Sequence, residues 1–462
     1  VRGKIKLEGQ RVLVVGLART GIATALFCAA RGARVTASEE RAEAEVAEAA
    51  AKLRAAGCAL ELDGHRLATF LEQDLIVPSP GVPLTMPALA AARTKGIPVW
   101  SEIELAWRFL EGRLVAVTGS NGKTTTTSLI GHILEAAGFP VLVAGNIGTP
   151  LISRVEATSR ATVTVAEMSS FQLETIEALR PDVGLLLNIT PDHLDRHSTF
   201  EDYGRAKARI FENQTEADAA IVNADDLVAT EYAPSRPQVY WFSRKKQVIN
   251  GAFLREDQIV FRRDGTETVL LRRGDIGLRG EHNVENILAA AAAALLIGAT
   301  PAVIAGAVRS FAGVEHRLEF VAEIAGVDFY NDSKATNVDA TLKALDAFPA
   351  HLLVVLGGKD KGGDFTLLRE PLRQRANLVL LIGAAAEKIA GQLSGVVPLE
   401  IAGTLDRAVP LAFERARPGD IVLLAPACAS FDQFQNFEHR GRVFKQLVRQ
   451  LEQDIAASAR EN

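Results

Sequence analysis

The chain has 462 residues, enough for roughly three domains, and its 48% hydrophobic and 23% charged content is that of an ordinary globular protein. Fifty-one basic against fifty-six acidic residues leave a net charge of −5, which argues against nucleic acid or an anionic membrane surface as the main partner. Cys28, Cys58 and Cys428 lie far apart in no metal-binding spacing, and no apolar run approaches the roughly twenty residues of a membrane span, so reduced thiols in a cytoplasmic protein are expected.

The first segment opens with the strand "RVLVVG" (11–16), then "LARTG" and an Ala-rich helix to about Ala30. "ARVTAS" (33–38) is the next predicted strand, and "DLIVPSPGV" (74–82) reads as a strand ending in a Gly/Pro turn. A second segment starts near Ser101. Its strand "RLVAVTG" (113–119) feeds a helix with Leu129, Ile130, Ile133 and Leu134 at helical spacing, stopped by Gly138 and Pro140. Further strands are predicted at 162–170, 182–190 and 218–226, a hairpin around Asp264-Gly265, and a helix over 282–298. A third segment, from about Val314, offers strands at 327–332, 351–358, 377–383 and 420–427, and a final amphipathic helix from about Asp432 past Leu451. Apolar strands alternating with helices predict parallel sheets covered on both faces. The expected fold is α/β with three domains: a Rossmann-like 1–101, a P-loop ATPase-like 102–313 and a Rossmann-like 314–462.

"VAVTGSNGKTTTTS" (115–128) carries the strongest chemical signal. Gly119, Ser120, Asn121, Gly122, Lys123, Thr124 and Thr125 lie between a predicted strand and a helix. There backbone N–H groups and the helix dipole favour phosphate, Lys123 neutralises it, and the Thr124 hydroxyl suits Mg²⁺. The usual first glycine of such loops is replaced by Val117. Glu167 ends the next apolar strand, beside the loop in a parallel sheet, and can hold the metal directly or through water. In "NITPDHLDRH" Asp192 reads by itself as a helix cap and His193 as a loop histidine; a second Mg²⁺ or a phosphate contact is the alternative.

Gly16-Leu-Ala-Arg-Thr-Gly21 resembles a dinucleotide fingerprint, but Ala18 replaces its middle glycine and the ribose-binding acidic position is ambiguous between Ser38 and Glu39. An NAD-dependent oxidoreductase is therefore a competing reading; the diphosphate of another nucleotide fits the same helix start, with Thr20 adding a hydroxyl. In the third segment "YNDSKATN" (330–337), "GGKDKGGDF" (357–365) and "APACASFDQFQNFEHRG" (425–441) end three strands with polar, Gly-rich stretches. They are expected to form one ligand-binding rim that recognises anions.

With "GNIG" (145–148), "HNVENILAA" and "EHRLE" (315–319), these motifs resemble, in order and along the whole chain, the Mur ligases, amino-acid-adding enzymes of peptidoglycan synthesis. "NDSKATN" and the final motif resemble the D-glutamate-adding branch. The resemblance implies UDP-N-acetylmuramoyl-L-alanine, ATP and D-glutamate as substrates and an acyl-phosphate intermediate. It also implies two Mg²⁺ sites and a monomer. It places Arg19, Thr20, Ser38, Glu39, Ser79 and Gly81 on the UDP end, and Asn283, Asn286, Arg317 and Asp332 on the adenine and ribose. Asn146, His193 and Lys334 fall near the acyl phosphate. Thr336, Lys361, Ser430, Phe431 and Phe437 fall near D-glutamate. Lys207 matches a lysine the family carries as a carbamate, joining Thr124, Glu167 and His193 as metal-site candidates, and this requires a depressed amine pKa. Lys123, His193, Lys207 and Lys334 are the implied catalytic residues. With substrate sites on three domains, the third is expected to close on the second.

Overall fold

The computed structural model describes residues 5–461 apart from 147, 194, 195 and 279, with side chains through 455. Among these residues the chain forms three sheets. The first holds β1 (Arg11–Val15), β2 (Arg34–Ser38), β3 (Ala59–Glu61) and β4 (Leu75–Pro78) in the parallel order β3-β2-β1-β4. Its interior strands are buried on both faces, as continuous runs such as Val12–Val15 require.

The second sheet holds β5 (Arg113–Thr118), β6 (Val141–Gly145), β7 (Val163–Glu167), β8 (Val183–Leu186), β9 (Ala219–Asn223), β10 (Gln238–Ser243), β11 (Gly251–Arg255), β12 (Gln258–Arg263) and β13 (Thr266–Arg272). Their order is β13-β12-β11-β10-β9-β8-β5-β7-β6. Strands β5 to β11 pair in parallel and the last three form an antiparallel edge. The predicted hairpin is β12–β13, and Asp264 and Gly265 both take the positive φ its two-residue turn needs.

The third sheet holds β14 (Glu319–Ile324), β15 (Val327–Asn331), β16 (Leu352–Gly357), β17 (Ala376–Ile382), β18 (Leu399–Gly403) and β19 (Ile421–Leu424), in the order β14-β15-β19-β16-β17-β18. Only β14 runs antiparallel to its neighbour among the described residues. The chain's last strand thus lies between β15 and β16. The final helix is Phe437–Glu461 and begins five residues later than predicted, because Asn436 caps it by accepting the His439 N–H at 2.7 Å.

By contact density the chain divides into two compact units, 1–275 with 285–310, and 276–284 with 311–462. Within the first unit, the first and second sheets share one apolar core. Leu105 and Ala106 of the helix Glu102–Phe109 join the Val12 and Val14 side to Leu114 and Ala116, and Phe27 meets the edge of Phe109 with ring centroids 5.1 Å apart. Two buried carboxylates lock this helix in place. Glu104 accepts the N–H groups of Glu177, Ala178 and Leu179 and pairs with Arg108 at 2.8 Å. Glu102 accepts the Ile152 N–H at 2.6 Å, while its Oε2 has no hydrogen-bond partner among the described residues.

Burial, partly offset by the N–H groups of Ile152 and Leu151, raises the Glu102 carboxyl to about 7. The folded state therefore holds this proton more tightly than the unfolded chain does. The stabilisation is full below the unfolded value near 4.5 and is lost as pH climbs through 7. Between pH 5 and 8 the wild type is expected to lose melting temperature relative to Glu102→Gln, which carries no such proton. Parallel curves for the two proteins would contradict this assignment.

Candidate active site

The phosphate loop leaves the carboxyl end of β5, which lies between β8 and β7. Gly122 sits at φ +83°, and a Cβ there would come 2.3 Å from Asn286 Oδ1, so only glycine fits where the helix Lys123–Ala136 starts. The Lys123 ammonium donates to Gly119 O and Ser120 O, both at 2.8 Å, which lays it along the loop. Ser120 Oγ reaches Thr190 O and Tyr203 Oη, and the Asn121 N–H donates to Asn188 Oδ1 at 2.8 Å, tying the loop to the stretch after β8. Thr125 and Asn286 are buried beside it, and Thr126 Oγ1 donates to Asn286 Oδ1.

Glu167, at the end of β7, joins these parts. Its Oε2 accepts the Thr124 hydroxyl at 2.8 Å and its Oε1 accepts Asn146 Nδ2 at 2.9 Å. Lys207, on the helix Phe200–Ala208, is only 2% exposed. Its Nζ donates to Gly119 O at 2.9 Å and lies 4.5 Å from the centre of the Tyr203 ring. Burial first, and then the charge of Lys123, push this amine well below its ordinary value. His193 sits at φ +54° with its Nε2 3.6 Å from Asp192 Oδ2, and its ring meets the edge of Phe171 with centroids 4.9 Å apart. A phosphate loop, a carboxylate, a hydroxyl and a depressed amine thus converge within one sheet end.

The first sheet opens into a cleft of about 610 Å³ beside the start of the helix Arg19–Ala30. Gly16, Thr20, Glu39, Arg41, Ser79 and Gly81 are among its lining residues. Ser79 Oγ donates to Gly16 O at 2.8 Å, joining the two loops that face each other. Glu39 accepts the Leu17 N–H at 2.7 Å and is held by Arg41. Burial works to raise its carboxyl, but Arg41 and the Leu17 N–H outweigh it and bring it down to about 2, so the cleft keeps an anion able to accept hydroxyl protons.

In the second unit the three polar strand ends predicted to form one rim belong to β15, β19 and β16, which are neighbours in the sheet. Lys359 and Ala429 exchange backbone hydrogen bonds at 2.8 and 3.0 Å, joining two of those ends. Arg440 is buried without a carboxylate partner in the described hydrogen bonds; it donates to Ser333 Oγ, Ser333 O and Cys428 O, tying the β15 end to the β19 end. The Lys334 ammonium stands 4.6 Å from the Phe437 ring centre. Thr336 is half-buried, Lys361 exposed, Ser430 buried and Phe431 exposed along the same rim. Arg317 donates to Asp332 Oδ1 at 3.4 Å. Asp332 is fully buried, which raises its carboxyl despite Arg317, and its Oδ2 has no hydrogen-bond partner among the described residues.

Three family matches cover most of the chain: the Mur ligase MurD-like N-terminal domain over residues 10–101, the Mur ligase middle domain over 117–294, and the Mur ligase glutamate ligase domain over 316–428. A protein of Koribacter versatilis named UDP-N-acetylmuramoylalanine--D-glutamate ligase is 54% identical over 446 residues, 96% of this chain and 98% of its own. The chain belongs to the Mur ligase family. A ligase of the same name from Acidobacterium capsulatum is also 54% identical, over 96% of this chain and 97% of its own. The fold is shared with the MurF ligase of Thermotoga maritima, solved in complex with ADP, at a TM-score of 0.61, 17% identity and 96% coverage of each chain. Membership removes the ground for the NAD-dependent reading of the first sheet.

In this Mur ligase the structure brings Gly119–Thr125, Asn146, Glu167, Lys207 and Asn286 together at one sheet end, with His193 on the adjoining stretch. Asn283 is buried on the helix Glu281–Ile297, one turn before Asn286. Two first-sheet candidates fall elsewhere. Ser38 does not itself line the cleft: it is fully buried and hydrogen-bonded to Glu61 and to His65, which does line it. Arg19 lines a separate cleft of about 720 Å³ on the other flank of its helix. Sequence reasoning missed Arg41, the partner of Glu39; an arginine two residues past a strand-end glutamate was its signal. Ile147 of the "GNIG" motif and Leu194 and Asp195 of "PDHLDRH" lie outside the described residues.

Proposed function

We propose that this Mur ligase uses ATP to join D-glutamate to UDP-N-acetylmuramoyl-L-alanine in peptidoglycan precursor synthesis. The observation that carries the reading is its 54% identity, over nearly the whole chain, to ligases named for that reaction. A carboxylate is a poor acyl donor, and phosphate supplies the leaving group. The substrate carboxylate oxygen attacks the γ-phosphorus and ADP departs. The deprotonated D-glutamate nitrogen then adds to the acyl-phosphate carbon, and the tetrahedral adduct expels phosphate as the amide forms. Such a reaction needs positioning and charge neutralisation above all.

In this reading the loop amides of 119–125 and Lys123 hold the β- and γ-phosphates. Asn283, Asn286, Arg317 and Asp332 are assigned to the adenine and ribose. The first-sheet cleft takes the UDP end through Thr20, Glu39, Ser79 and Gly81, and its volume and mixed polarity support that use. Asn146, His193 and Lys334 neutralise or orient the acyl phosphate.

Thr124, Glu167, His193 and a carbamylated Lys207 would hold two Mg²⁺ ions. Their oxygen-rich donor set fits this hard cation, which prefers to keep waters and phosphate oxygens as ligands; when bound it supplies neutralisation of phosphate charge. Among the described residues, the one cluster of three metal-type ligands is Glu315, His316 and Glu319, in the other unit, where Lys445 already pairs with both carboxylates at 2.6 and 2.8 Å. No described helix is long and apolar enough to cross a membrane. A monomer in the cytoplasm, without nucleic-acid partners, completes the reading.

Phosphate release is expected only when ATP, UDP-N-acetylmuramoyl-L-alanine and D-glutamate are all present; equal release with any two would overturn the proposal. Thr336, Lys361, Ser430 and the backbone near Phe431 and Phe437 are assigned to the two carboxylates of D-glutamate, whose charge suits a lysine, hydroxyls and helix-start N–H groups. Lys361→Ala is expected to raise the D-glutamate KM by about tenfold, the cost of one charge-assisted hydrogen bond, with kcat little changed. An unaltered KM would remove Lys361 from the site.

A further inference from the structure

Arg196 joins two parts of the first unit that the reaction must hold in register. Its Nη1 donates to Gly81 O at 3.0 Å and its Nη2 to Val82 O at 2.5 Å. Its guanidinium carbon lies 4.7 Å from the centre of the Phe171 ring. Its own N–H donates to His193 O at 3.0 Å. Phe171 also meets the edge of His193 and stacks on His197 at 5.4 Å, so one aromatic ring backs all three side chains. On the far side, the turn carrying Gly81 and Val82 is pinned by Ser79, whose N–H donates to Val15 O and whose hydroxyl donates to Gly16 O. The space lined by Arg196, Phe171, Ser79 and Val82 is a cavity of only about 10 Å³, the size of a single water at most.

We propose that Arg196 is a positioning residue that fixes the distance between the nucleotide-sugar cleft and His193. A planar guanidinium can serve two successive carbonyls while its face rests on a ring, and neither lysine nor methionine can do both. The strap runs from Gly16 through Ser79, Gly81 and Arg196 to His193. It sets where the far end of a bound sugar nucleotide arrives relative to the phosphate loop. The inference rests on the proposed substrate for its kinetic consequence, but the strap itself is a property of the unliganded chain.

Two variants test it. Arg196→Met keeps an unbranched side chain beside Phe171 and removes the donors; Arg196→Lys keeps the charge and loses the fork. Amide exchange at Val82, whose N–H is bonded to Ser79 O at 2.9 Å, is expected to accelerate at least tenfold in Arg196→Met without any ligand. In turnover the same variant is expected to raise the KM for UDP-N-acetylmuramoyl-L-alanine at least tenfold and to lower kcat, with ADP affinity held within twofold. Arg196→Lys should fall between it and the wild type. Unchanged Val82 protection, or a KM and an ADP affinity that weaken in equal measure alongside a lowered melting temperature, would overturn the strap. Accelerated exchange in a protein whose wild type turns over none of these substrates would sink the D-glutamate reading and uphold the strap.

Discussion

Lys207→Ala is expected to slow amide formation by on the order of a thousandfold, the scale of losing one preorganised charge at a phosphoryl centre, and millimolar acetate or propionate is expected to restore part of it. The argument starts from burial. A lysine at 2% exposure, hydrogen-bonded to Gly119 O and near Lys123, is costly to keep charged. Its neutral nitrogen has a free electron pair, which adds to the carbon of CO₂; one proton leaves the nitrogen, and the neutral amine becomes a carbamate anion. That anion beside Thr124 and Glu167 can orient a divalent cation, and a small carboxylate diffusing into the truncated site can replace it. Because the folded-state value is depressed, the neutral amine is favoured as pH rises through it and is lost as pH falls. Activation should therefore improve with both pH and dissolved CO₂. Full activity in Lys207→Ala without added carboxylate would dismiss the modification.

Glu167→Gln is expected to lower kcat by about two to three orders of magnitude and to raise the Mg²⁺ concentration needed for half-maximal rate. The substitution preserves shape. An amide oxygen can still accept one of the two present donors, Thr124 Oγ1 or Asn146 Nδ2, and the Thr124 hydroxyl can rotate to accept from the new NH₂. Stability should therefore shift by no more than about 1 kcal/mol, while the charge that attracts a metal is gone. The KM for the sugar nucleotide, which is proposed to bind at the first-sheet cleft, should hardly move. A rate within threefold of wild type at saturating Mg²⁺ would remove Glu167 from the metal site.

What could be read from sequence follows the range of the forces involved. Gly122, Lys123 and Thr124 form a local pattern between a strand and a helix, so the loop was legible in full. Glu167 was legible because a parallel sheet puts adjacent strand ends together, and β5 and β7 are neighbours. Burial of Lys207 was not: the helix around it, "FEDYGRAKA", has four charged residues, and only tertiary packing decides which of them faces the loop. The choice between Ser38 and Glu39 turned on whether β2 ended one residue earlier, which alternation cannot resolve in a strand buried on both faces. β14 was missed because the Ala325-Gly326 turn, with both residues at positive φ, lies within a stretch that reads as one continuous run. Arg196 gave no signal at all. A cation in a polar loop looks solvated until the carbonyls it meets, more than a hundred residues earlier, are known.

The place of β19 between β15 and β16 bears on how the molecule is made. These two strands are separated by a gap that Ile421–Leu424 fills, and that segment is translated after both of them. Pairings that span so much chain form slowly, because distant segments must first find one another. Until then the carboxyl-terminal sheet lacks its middle, and a product terminated before Ile421 carries the first two sheets beside an incomplete third.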